Sequence, residues 1–81
     1  MQTYLWTHQP ELSDEPIDRL YHKIDLNNNE IDEIAIFKLK NDKYLYIKFV
    51  GTIDNLECGV TDVEEFDELS EAKKIYDLYV W

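Results

Sequence analysis

The chain has 81 residues, enough for one domain. With 44% hydrophobic residues, including six Tyr, three Phe and two Trp, it is too rich in aromatics to be a disordered acidic tail. Eighteen acids against eight bases give a net charge of −10, which repels nucleic acid and anionic membranes and favours basic partners.

A lone cysteine, Cys58, excludes a disulfide framework and fits intracellular, cytoplasmic residence. The opening stretch MQTYLWTHQP has neither the basic start nor the apolar run of a signal peptide. No stretch approaches the roughly 20 apolar residues that span a bilayer. The expectation is a single compact domain over residues 1–81.

In chain order, QTYLWTH alternates and is rich in β-formers, so it predicts a short first strand. QPELSDEP breaks it. Ser13 or Asp14 can cap a helix with Glu15 and Pro16 in its first turn. Ile17, Leu20, Tyr21 and Ile24 share an arc at 100° per residue, which predicts an amphipathic helix ending near Asp25. Asn27, Asn28 and Asn29 then make a turn.

Residues 34–51 predict a β-hairpin. A three-residue turn, Asn41 to Lys43, would pair Leu39 with Leu45, Phe37 with Ile47 and Ala35 with Phe49. That register gives one apolar face, and a one-residue slip would turn the face to solvent. The other face would carry Lys38, Lys40, Lys48, Tyr44 and Tyr46. Gly51 ends the second hairpin strand or marks a bulge. LECGV predicts a further strand with Leu56, Cys58 and Val60 turned inward.

A final helix is expected from near Phe66 to Tyr79, with Asp67 as its cap. Phe66, Leu69, Ala72, Tyr76 and Val80 would share its apolar side, with Asp67, Glu68 and Glu71 opposite. The fold class expected is α+β: a small antiparallel sheet of three to four strands with two helices packed on one face. Phe37, Leu39, Leu45, Ile47 and Phe49 should meet Ile17, Leu20, Ile24, Phe66, Leu69 and Tyr76.

No motif carries catalysis or metal binding. Asp25, Asn27 and Asn29 have the 1-3-5 spacing of a calcium loop. However, Glu30 stands where the loop needs Gly, and Ile36 where it needs a bidentate Glu. His8 and His22 read as surface residues and Cys58 as a buried, inert thiol. The expectation is a protein with no enzymatic activity, cofactor or metal.

The signal that remains is charge. From Thr52 to Glu71 there are eight acids and no Lys or Arg: Asp54, Glu57, Asp62, Glu64, Glu65, Asp67, Glu68 and Glu71. A helix dipole favours acids in a first turn, which accounts for some of them. The whole run reads as the partner-binding surface, able to occupy an Arg/Lys array that otherwise meets phosphate.

In size, acidity and lack of catalytic residues the chain resembles the small phage-encoded inhibitors of the anti-CRISPR and anti-restriction type. The likeness is one of composition and transfers no residue. The acidic surface itself leads to the expectation of a DNA-mimic inhibitor that covers the basic groove of a nucleic-acid-processing complex, with no direct contact to nucleic acid or membrane. One alternative is an immunity protein or antitoxin that neutralises a basic toxin enzyme. Another is a single-stranded nucleic-acid-binding module using the Lys/Tyr hairpin face.

Overall fold

The computed structural model describes Leu12 and residues 14–78. The strand expected at residues 2–8, His8 and Val80 lie outside these residues. Four strands form one antiparallel sheet in sequential order: β1 (Pro16–Asn27), β2 (Glu30–Leu39), β3 (Tyr44–Thr52) and β4 (Val60–Phe66). A 3-10 turn, Leu56–Cys58, leads into β4, and α1 (Leu69–Leu78) follows it. The architecture is α+β, with one α-helix among the described residues where two were expected.

The helix expected to end near Asp25 is instead strand β1. Its register explains why the spacing misleads. Pro16 faces Leu39 while Asp18 faces Lys38, and Arg19 faces Phe37 while Tyr21 faces Ile36. Each step is two residues of β1 against one of β2, so Ile17 and Leu20 are the extra residues of two bulges. Inserting a residue into a period-2 strand mimics the spacing of a helix. Ile17 and Leu20 are accordingly exposed. The expected turn is present: Asn27 pairs with Glu30 across Asn28 and Asn29, and Asn28 takes the left-handed conformation at φ 57°.

The central hairpin keeps its faces but not its register. Phe37 faces Leu45 and Ala35 faces Ile47, two residues away from the expected pairing. A shift of two preserves which side each side chain occupies. The last facing pair is Lys38 with Tyr44, so the connection is longer than expected. Asp42 adopts φ 67°, the Leu39 amide donates to the Lys43 carbonyl at 2.8 Å, and the Lys43 amide donates to Asn41 Oδ1 at 3.1 Å.

Two apolar clusters result, one on each face of the sheet. On the first, Ile31, Ala35, Ile47 and Phe49 are fully buried, with Ile24, Phe37, Leu56 and Val63 against them. On the second, Ile34, Ile36 and Tyr46 lie beneath Ala72 and Tyr76, flanked by Tyr44, Phe66, Leu69 and Ile75. Helix residues Leu69 and Tyr76 therefore meet the second face, not the Phe37–Phe49 face assigned to them. The reason lies in β4, whose last residue, Phe66, is directed to the second face and starts the chain from that side. The helix itself begins at Leu69, after Asp67 and Glu68, not near Phe66.

LECGV is not a strand. Leu56 packs under Phe49, but Cys58 is exposed at the end of the 3-10 turn and Val60 is 61% exposed at the start of β4. Both glycines of the chain serve the ring of Phe49. A Cβ on Gly51 would stand 2.7 Å from the ring's Cζ, and one on Gly59 would also collide with the ring. Gly59 has φ −68° and ψ 161°, ordinary extended backbone, so space and not conformational freedom requires glycine there.

Gly59→Ala should therefore cost roughly 1–3 kcal/mol by overpacking. The same change in a Phe49→Leu background should cost less, because the colliding ring edge is gone. Denaturant melts of the four proteins test this coupling, and equal costs in both backgrounds would contradict it.

Candidate interaction surface

The acids from Glu57 to Glu71 lie along β4 and at its two ends, and β4 is the outer strand of the sheet among the described residues. Asp54 is structural: its amide donates to Asn29 Oδ1 at 3.1 Å, and its carboxylate accepts from Asn29 Nδ2 at 2.9 Å. With the Ile53 amide donating to the Asn29 carbonyl at 2.8 Å, this ties the β3–β4 connection to the β1–β2 turn. Glu57 is exposed on the 3-10 turn at the same end. Asp62 and Glu64 are exposed on the helix-bearing face of β4, opposite Lys48 and Tyr46. Glu65 is half-buried on the other face, opposite Leu45.

Asp67 and Glu68 are exposed in the β4–α1 corner, and Glu71 is exposed in the first turn of α1, where the dipole favours it. Asp54 and Glu57 thus lie at one end of β4, and Asp67, Glu68 and Glu71 at the other. A seven-residue strand separates the ends by about 20 Å. Asp62 and Glu64, on one face, lie roughly 6.8 Å apart along it. A DNA strand carries a phosphate every ~3.4 Å of axis, so the edge is a looser array than the duplex. Among the described residues, no group of three or more His, Cys, Asp or Glu is placed to hold a metal ion.

The Lys/Tyr hairpin face does not form the open platform that base stacking needs. Tyr46 is buried beneath α1 and Tyr44 packs beside it. Lys48 stands opposite Asp62, and Lys38 reaches within 3.9 Å of Asp42. Of these five residues, Lys40 at the hairpin tip is the one that is exposed.

Sequence reasoning missed a seam between β1 and α1. Lys23 Nζ donates to the Tyr76 carbonyl at 3.1 Å and lies 4.3 Å from the centroid of the Tyr76 ring. The last turn of α1 has no base of its own, so β1 supplies the cation that a helix C-terminus favours. Tyr21 packs on Tyr76 with centroids 5.6 Å apart. Lys73 lies over both rings and donates to Asp77 at 2.6 Å, a hydrogen bond that raises its pKa. Locating this seam would have required recognising 16–27 as a strand.

His22, expected at the surface, is bonded through Nε2 to Glu33 Oε2 at 2.5 Å, with Glu33 fully buried. Glu33 falls on the apolar phase of β2, between Ile31 and Ala35, and that phase was the available signal. A buried carboxylate needs a partner, and His22 supplies one. Enclosure makes the pair part of the core, not a site open to substrate. Comparison with protein-family models, with curated proteins and with solved structures finds no match.

Two measurements follow from this geometry. A maleimide should label Cys58 in the native protein at close to its rate in denaturant. Native labelling slower by about ten-fold or more would contradict its exposed position. Burial also holds the Tyr76 phenol above its ordinary value, with Lys73 opposing the shift. The folded state then keeps a proton that the unfolded state releases near pH ~10. Stability present below that pH is lost as the pH rises towards the folded value. The melting temperature of the parent should fall more steeply above pH ~10 than that of Tyr76→Phe, and parallel curves would contradict the shift.

Proposed function

We propose that this protein is a non-enzymatic binding protein that covers a basic surface, and that it inhibits a nucleic-acid-processing complex by occupying the groove meant for phosphate. The observation that supports this is the placement of the acid run. Seven of its eight carboxylates are exposed, and besides the structural Asp54 six of them, Glu57, Asp62, Glu64, Asp67, Glu68 and Glu71, lie along β4 and at its two ends with no base between Thr52 and Glu71. Exposed like charges repel one another and contribute nothing to the core, so the fold alone does not account for so many. Charge on β4 does protect a sheet edge from pairing with other chains, but one or two residues suffice for that.

The partner is a basic protein surface, with neither nucleic acid nor membrane in direct contact. The same surface chemistry serves a toxin-neutralising protein, and the identity of the captured partner separates the two. Asp54 is excluded from the test because its carboxylate holds the Asn29 turn.

Glu64, Asp67, Glu68 and Glu71 are changed together to Gln or Asn, and affinity and inhibition are measured on the basic partner captured from a bacterial lysate. Affinity should fall by at least about ten-fold at low salt. The parent's own affinity should weaken with ionic strength as exposed charges are screened over ~8–10 Å. Stability should stay about level, since the repulsion removed between like charges offsets the dipole contribution lost at Glu71. Unchanged affinity at every salt concentration would overturn the proposal.

A further inference from the structure

Helix α1 covers only part of its sheet face. Ile34, Ile36 and Tyr46 lie beneath it. Beyond them, one row crosses all four strands: Asp25 on β1 faces Asp32 on β2, Asp32 faces Val50 on β3, and Val50 faces Val60 on β4. Val50 is 41% exposed and Val60 61% exposed, although they stand side by side on a sheet face. Asp25 and Asp32 are directly opposed like charges, an arrangement that destabilises a strand pair. Among the described residues neither forms an ion pair. The adjacent row holds Lys23, committed to the Tyr76 carbonyl, and Lys48, opposite Asp62. On the outer side, Glu30, Asp32, Val50 and Thr52 line a shallow depression.

Resting on the function proposed above, we infer that this row is where a basic partner docks, seating a segment that carries an arginine or lysine beside a branched aliphatic side chain. Charge complementarity selects that occupant. The aliphatic group covers Val50 and Val60, and the cation lies between Asp25 and Asp32. A cation there converts a repulsive cross-strand pair into two attractive contacts. A second copy of this chain is a poor occupant, because it would add another net −10 to the same surface. The edge acids from Glu57 to Glu71 then attract and orient the partner, and the row gives it an apolar hold that salt does not screen.

Two synthetic peptides of equal charge test this, one alternating arginine with leucine and one alternating arginine with serine. Binding to the isotopically labelled protein is followed by NMR. The leucine peptide should bind roughly five-fold more tightly and shift the amides of Asp32, Val50 and Val60. Val50→Thr with Val60→Thr should abolish that preference while keeping β-branched residues in the strands. Asp25→Asn with Asp32→Asn should weaken both peptides, yet melt no lower than the parent, because repulsion is relieved. Equal binding of both peptides, with shifts confined to Glu64–Glu71, would overturn the row and leave the proposed function intact. Tight leucine-peptide binding at the row, together with captured-partner affinity indifferent to the Glu64/Asp67/Glu68/Glu71 variant, would retain the row and remove the edge. Binding of neither peptide would overturn the row. So would a parent that sediments as a dimer and is made monomeric by the two threonines, which would assign the row to a second copy.

Discussion

The central hairpin is buried on both faces, and the placement of every other element follows from that. On β2, Ile31, Ala35 and Leu39 are fully enclosed on one side, and Ile34 and Ile36 on the other. On β3, Leu45, Ile47 and Phe49 alternate with Tyr46, which is itself buried. A strand apolar on both sides must lie inside a sheet with cover above and below. Among the described residues β1 and β4 therefore take the outer positions, and α1 takes the face where Ile34 and Ile36 need cover. Among the described residues the one fully buried carboxylate, Glu33, has His22 bonded to it.

That constraint also separates what could be read in the sequence from what could not. Parity was legible: Ala35, Phe37, Leu39, Leu45, Ile47 and Phe49 do share a face, because a register shift of two leaves sides unchanged. Ile34 and Ile36 were legible as apolar, but their meaning depends on α1 arriving from the other side. Strand β1 was illegible because its two bulges place Ile17 and Leu20 where a helix would put them. Nothing local to residues 16–27 reveals a bulge; it is defined by the partner strand. Cys58 and Val60 alternate as a strand should, yet Asn55 begins a 3-10 turn that ends at Gly59 and breaks the phase.

The candidate surface shows the same division. The acid run could be counted from the sequence, and its exposure is largely as a charged run implies. Its division of labour could not be foreseen. Asp54 anchors a turn, Glu65 lies half-buried on the opposite face, and Asp62 and Glu64 point to the helix-bearing face. Nor could the row of Asp25, Asp32, Val50 and Val60 be found, because its members come from four strands and are adjacent only through the register.

On the function and docking mode proposed above, edge and row would divide the work of discriminating between partners. Exposed carboxylates act at a distance and raise the rate of encounter with any basic protein, an effect that ionic strength erodes. They carry little shape, so they select by charge alone. Val50 and Val60 act only in contact and are insensitive to salt. On the proposed docking mode, a cation between the two opposed aspartates is held more tightly where an aliphatic group beside it covers Val50 and Val60. A nucleic-acid-binding groove usually presents Arg and Lys whose long stems lie along apolar surface, and such a groove supplies both parts. A lysine-rich disordered tail supplies only the charge. Affinity that survives at high salt would therefore come from the row, whereas the rate of association would come from the edge.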